Sequence, residues 1–146
     1  MGNGLPKNFL YITFLPAGKE YDKDFRGARY RVIGEDDTSN FIGKAADGTI
    51  YLLDTAAEKG RELVYFAKDE RTLAAAVKTY RRHRRMAMAE AAVDALLHRD
   101  EDNEAELARK EAAGLKEKLS ALDPAMLRDE TTFWSPLLEE IEWGMI

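Results

Sequence analysis

Three strand-like runs lie between Tyr30 and Phe66 with turn residues between them, and this stretch commits the chain to a sheet. The first run is Tyr30-Arg31-Val32-Ile33, cut off by Gly34 and the acidic triplet Glu35-Asp36-Asp37. The second is Phe41-Ile42, which leads through Ala46-Asp47-Gly48 into Thr49-Ile50-Tyr51-Leu52-Leu53, and the third is Leu63-Val64-Tyr65-Phe66-Ala67. β-Branched and aromatic residues dominate all three, as a pleated, half-buried surface favours. Asp-Gly between two apolar segments accepts the positive φ angles of a tight turn, so Asp47-Gly48 is expected to close an antiparallel hairpin. The sheet is expected to hold strands at 30–33, 41–45, 49–53 and 63–66. Asn-Phe-Leu-Tyr-Ile-Thr-Phe-Leu, at 8–15, reads as a further strand, apolar on both faces and so covered on both sides or held by a loop or a subunit. The stretch 18–27 reads as polar and turn-rich.

The helices follow the sheet. Asp69 can cap a helix with Glu70 in its first turn, where a negative side chain complements the helix dipole. Leu73, Val77 and Tyr80 then form one stripe, as in a helix laid across a sheet. Continued at about 100° per residue, the same helix carries Met86, Val93 and Leu97 on roughly the opposite side. The spacing therefore predicts either a bend near Arg81-Arg82-His83-Arg84-Arg85 or a continuous helix that leaves the sheet and buries its far half elsewhere. After the polar break Asp100-Glu101-Asp102-Asn103, in which Asn103 and Glu106 nearly form a capping box, Ala108, Ala112, Leu115, Leu119 and Leu122 mark a second stripe. Gly114 interrupts its propensity but not its pattern. An antiparallel helical hairpin burying Met86, Val93 and Leu97 against the second stripe is the economical arrangement, with a homodimer through the same three residues as its substitute. Asp123-Pro124 and Ser135-Pro136 both carry helix-start chemistry. Trp134, Leu137, Leu138 and Ile141 form a last stripe, with Glu139, Glu140 and Glu142 facing water, Trp143 off the stripe, and Gly144 ending the helix. The pattern as a whole is that of one α+β domain over residues 1–146, an antiparallel sheet with helices packed on one face.

Chemistry is narrowed mostly by exclusion. The chain has no cysteine, which removes disulfides, thiolate metal sites and a Cys nucleophile, and makes a reducing, cytoplasmic setting the easiest fit. Neither His83 nor His98 has the spaced partners of a metal site, so both read as solvated helix residues. No phosphate loop or nucleophile elbow is present, and no cofactor or metal is expected. No leader pattern and no apolar run long enough to cross a membrane is found. The net charge of -5 argues against a general nucleic-acid binder and permits a basic protein partner. The basic cluster 81–85 lacks interleaved aromatics and reads as a solvated or intramolecularly paired face.

Four places carry a resemblance. They are Gly4-Leu5-Pro6 followed by an aromatic strand; Val32-Ile33-Gly34 leading to a hairpin that ends in Asp47-Gly48-Thr49-Ile50-Tyr51-Leu52-Leu53-Asp54; Leu122-Asp123-Pro124; and the tail from Phe133-Trp134-Ser135 through Leu138-Glu139-Glu140-Ile141 to Gly144-Met145-Ile146. In this order, across nearly the whole chain, they resemble the SUKH superfamily and most of all its fourth immunity-protein subgroup. The resemblance implies a SUKH-like α+β domain that is not an enzyme. It implies a protein that binds and neutralises a cognate bacterial toxin, of nuclease or deaminase type, by protein–protein contact. An intracellular regulatory or scaffold module without a toxin is the alternative. Many superfamily members have helices before the first strand, and this sequence reaches that strand almost at once, so the first sheet face is expected to be covered differently or left for a partner.

For a basic toxin, the expected contacts are Glu35, Asp36 and Asp37, which follow a strand and escape the helix stripes, together with Trp143, Glu139 and Glu142 at the last helix. Neither nucleic acid nor membrane is an expected partner, and the chain is expected to be a monomer or a homodimer.

Overall fold

Asp47-Gly48 turns the chain as its chemistry requires. In the computed structural model, which describes residues 4–97 and 103–146, Gly48 adopts φ +92°, its N–H reaches the Ala45 carbonyl at 3.0 Å, and the Asp47 carboxylate accepts the Thr49 N–H at 3.0 Å. The turn joins β5 (Phe41–Lys44) to β6 (Ile50–Leu53), which β7 (Leu63–Ala67) extends. The longest strand is β4 (Ala28–Asp36). One edge of β4 pairs with β5, and the other is shared by β3 (Tyr21–Phe25) and β2 (Ile12–Phe14). With β1 (Asn8–Phe9) beside β2, the antiparallel sheet has seven strands in the order β1-β2-β4-β5-β6-β7, β3 lying off that path against β4.

Two stretches of this sheet differ from the sequence reading. The segment 8–15 is not one strand but the hairpin β1–β2, turned at Leu10 and Tyr11 with Leu10 at φ +55°. The stretch 18–27 contains a strand where only a loop was expected. β3 alternates charge along an exposed edge and is held by Arg29–Asp24 and Arg31–Asp22 ion pairs across to β4 (3.1 and 3.2 Å), so it carries no apolar pattern to betray it.

The main core lies between the sheet and three helices, α1 (Glu70–Leu97), α2 (Glu104–Leu122) and α3 (Trp134–Glu142), with a short 3-10 helix at Pro124–Leu127. A smaller cluster of Phe25, Tyr30 and Leu53 forms separately. β1 and β7 stand at opposite ends of the strand order, yet Phe9 and Phe66 both pack on Trp134, with ring centroids 5.8 and 5.7 Å away. The sheet therefore curls around that indole. Phe66 stacks on Phe133 at 4.0 Å and Tyr80 meets Phe9 edge-on at 5.4 Å, geometries that aromatic quadrupoles prefer. The chain is tied to β7 at the same point, since the Phe133 N–H donates to the Tyr65 carbonyl and the Trp134 Nε1–H to the Phe66 carbonyl. Among the described residues, Asp123 is the one buried carboxylate. It accepts from the Tyr65 hydroxyl, the Lys68 N–H and, as cap of the 3-10 helix, the Ala125 N–H.

α1 is one continuous helix of 28 residues, capped as expected by Asp69, whose carboxylate accepts the Thr72 N–H at 2.7 Å. Its Leu73–Val77–Tyr80 stripe is buried. α1 and α2 do form a hairpin, but not through the expected residues. Met86, Val93 and Leu97 are each more than half exposed. The helices are bridged instead by Arg84–Glu111 (2.9 Å) and Lys110–Glu90 (2.7 Å), and Ala87, Ala91 and Ala108 line an open cavity of about 870 Å³ between them. The angular reading was correct and the burial drawn from it was not, because the inward face of α1 continues in alanines and paired charges. His83 is likewise half-buried rather than solvated: Nε2 faces the Glu111 carbonyl at 3.0 Å and Nδ1 the Lys118 ammonium at 3.1 Å. A carbonyl only accepts and an ammonium only donates, so the ring proton sits on Nε2. A Cβ on Gly114 would lie 2.9 Å from this ring, which accounts for a glycine inside α2. His98 lies outside the described residues.

Two caps also differ in detail. The Asn103 side chain makes no cap bond and turns toward Asp94 instead. α3 begins at Trp134, ahead of Ser135, and it is the Thr132 hydroxyl that accepts the Ser135 N–H. At its other end the helix closes as the sequence indicates, with Met145 N–H on the Glu140 carbonyl and Gly144 N–H on that of Ile141.

Candidate protein-binding face

The acidic triplet is split by the strand it was expected to follow. β4 runs through Glu35 and Asp36, so these residues sit in register with Thr13 and Ile12 of β2, and the turn begins at Asp37. Each carboxylate has a different task. Glu35 accepts the Tyr21 hydroxyl at 2.7 Å, and burial together with that bond pushes the phenol up to about 12. Asp36 is the anchor of the turn: it accepts the backbone N–H groups of Thr38 and Asn40 (2.9 and 2.8 Å), the Thr38 hydroxyl and the Asn40 amide. Burial raises its carboxyl, but these four hydrogen bonds outweigh the desolvation and hold it below the usual carboxylate range. Asp36 is therefore already satisfied within the chain. Asp37 is exposed and makes no hydrogen bond among the described residues.

A tyrosine that the sequence reading did not single out stands beside them. Tyr11, at the tip of the β1–β2 hairpin, is 47% exposed, and one side of its ring rests 6.4 Å from Phe133. Its hydroxyl is pushed up by partial burial and then by the charges of Asp36, Glu140 and Asp37. One hairpin tip, one end of β4 and one side of α3 therefore converge on a single exposed ring. Leu10 is exposed next to it. Between this tip and α3 runs an open groove of about 290 Å³, floored by side chains such as Leu52, Val64 and Leu137.

The remaining expected contacts lie elsewhere. Glu139, Glu142 and Trp143 line a different groove, of about 580 Å³, together with Arg109 and Lys116 of α2. Trp143 is 72% exposed there. The two halves of the expected site are thus on different sides of α3, and Glu140, not Glu139 or Glu142, is the carboxylate of α3 that joins the acidic turn. The missed residues left little signal, because nothing in Leu10-Tyr11 resembles a turn and Glu140 reads as one of three solvated glutamates.

The basic cluster is partly used inside the chain. The Arg81 guanidinium donates to the Asn8 carbonyl and lies 6.0 Å from the Phe9 ring centre, and Arg84 pairs with Glu111. Among the described residues no group of three or more His, Asp or Glu side chains is placed to hold a metal ion, and no helix is long and apolar enough to cross a membrane.

The SUKH-4 immunity protein family model matches residues 4–140. No curated protein and no solved structure matches the chain significantly. A match of this extent, together with a curled antiparallel sheet backed by helices, places the protein: the chain belongs to the SUKH-4 immunity protein family.

Proposed function

We propose that this chain is a stoichiometric inhibitor that binds a cognate bacterial toxin in the cytoplasm and silences it by contact, without catalysis. The toxin class that fits best is a nuclease or deaminase with a basic active face. The observation that carries the reading is that the exposed Tyr11 and Glu140 line one groove beside the acidic end of β4, where Asp37 is exposed. The carboxylates of Asp37, just past the end of β4, and of Glu140 on α3 can stand where substrate phosphates would otherwise bind, and opposite charges also steer association. Tyrosine is a frequent anchor of such contacts, because a rigid ring covers a large area at little entropic cost. Glu139, Glu142 and Trp143 form a second, separate candidate patch, of mixed charge.

The test is co-expression with a candidate toxin, sought first among the products of the neighbouring genes, followed by association kinetics at low and high salt. Protection should be lost, and the association rate and its salt dependence should both fall, when Asp37 and Glu140 become Asn and Gln. A rate that keeps its value and its salt dependence removes this face and leaves the Trp143 patch to be tested. A toxin that the wild-type chain neither binds nor silences would sink the immunity reading.

A further inference from the structure

We propose that the groove between the Leu10-Tyr11 tip and α3 is a socket for one arginine side chain of the toxin, an inference that rests on the immunity reading for its partner. The groove holds about 290 Å³. Its apolar surface comes from Leu10, Leu52, Val64, Pro136 and Leu137. Its charged rim is of one sign: Glu130 and Glu140 line it, and among the described residues no lysine or arginine does. Just beyond, Asp36 and Asp37 reach Tyr11 electrostatically. An apolar trough with an anionic rim matches a side chain that is apolar along its stem and cationic at its head.

Arginine meets the geometry better than lysine for two reasons. Its planar guanidinium can lie on the face of the Tyr11 ring while its fork donates to a carboxylate, and it sheds water more easily than a compact ammonium. This chain already uses that chemistry internally, with the Arg128 guanidinium 5.0 Å from the Tyr65 ring centre and beside Asp129. An acidic segment would be repelled by Glu130, Glu140 and Asp37. A purely apolar one would bury those carboxylates against nothing that pairs with them.

The socket can be tested without the toxin. N-acetyl-arginine amide is titrated into the whole isotope-labelled protein and followed by amide chemical shifts, beside N-acetyl-citrulline amide, which keeps the shape without the charge, and N-acetyl-lysine amide. Saturable shifts confined to Leu10, Tyr11, Leu137 and Glu140 are expected, with citrulline weaker by roughly tenfold, the worth of one charged hydrogen bond over a neutral one. The response should be lost in the Glu130→Gln, Glu140→Gln double variant, whose spectrum elsewhere reports an intact fold. Shifts spread over the surface, an equal response to citrulline or lysine, or binding that survives in the double variant would each overturn the assignment. A toxin arm separates the two readings. If the toxin binds wild type and the Tyr11→Ala and double variants equally well, the socket fails and immunity stands. If the toxin ignores the wild type, immunity fails while the arginine titration still decides the socket.

Discussion

Asp123→Ala is the substitution whose cost can be worked most directly from the structure. The carboxylate is 3% exposed and receives three donors: the Tyr65 hydroxyl at 2.6 Å, the Lys68 N–H at 3.0 Å and the Ala125 N–H at 3.1 Å. Alanine accepts none of them. An orphaned buried donor costs about 1–3 kcal/mol and a lost helix cap about 1 kcal/mol. The Tyr65 contact is fully buried, and the other two are only partly so and regain some water. Together they give a loss of roughly 3–5 kcal/mol. That is a large share of the ~5–15 kcal/mol that holds an ordinary domain together. At about 3 °C for each kcal/mol in a chain of this size, the melting temperature should fall by about 10–15 °C. Urea unfolding followed by circular dichroism measures the free-energy loss, and a thermal melt the shift in melting temperature. Tyr65→Phe should cost less, about 1–2 kcal/mol, because the carboxylate keeps both backbone donors. Asp123→Asn should fall between, since one amide oxygen cannot serve both the Lys68 and the Ala125 N–H groups. An alanine variant within about 1 kcal/mol of wild type, or a phenylalanine variant worse than the alanine one, would refute the argument.

Gly114→Ala should destabilise by about 1 kcal/mol net, even though alanine is the better helix former, because its Cβ would push the His83 ring off the Glu111 carbonyl; His83→Ala in the same chain should relieve the clash, and a more stable single variant would contradict it. Val93→Glu should leave the fold intact within about 0.5 kcal/mol, as expected of an exposed position; a collapse of the melting transition would mean that the stripe is buried after all, and a sedimentation shift from dimer to monomer would mark it as a self-association face. Asp36 should contribute to acid stability. Its carboxyl lies lower in the folded than in the unfolded chain, so its stabilisation is present above the unfolded value of about 4 and lost as pH falls through the folded one. Asp36→Asn should therefore flatten the fall in stability below about pH 4 and leave its slope near neutrality unchanged.

The features that could be read from the chain are those whose chemistry is local. Asp47-Gly48 needs only its own φ angles to make a hairpin, Asp69 and Asp123 need only the N–H groups two or three residues ahead, and the Gly144 end closes on carbonyls of the turn before it. The apolar strands and the Leu73–Val77–Tyr80 stripe were legible for the same reason, since period alone sets which face they share. A charged edge strand such as β3 is stabilised across the sheet by Arg29 and Arg31, and so has no period to read.

Sequence by itself determined the fold class, the family and the identity of the charged groups available to a partner. Only the tertiary structure decided how they are combined. Rotation along α1 placed Met86, Val93 and Leu97 on one side, but whether anything covers that side depends on how two helices sit against each other, which the Arg84–Glu111 and Lys110–Glu90 pairs and the His83 ring on Gly114 settle from a distance. In the same way, Glu35, Asp36 and Asp37 are equals in sequence, and they diverge because one accepts from Tyr21, one closes its own turn and one is exposed, acting on Tyr11 through its charge alone. Tyr11 and Glu140 are far apart in the chain. They become neighbours because the sheet curls around Trp134 and brings the β1–β2 tip onto α3, and long-range packing of that kind leaves no mark in any short stretch of residues.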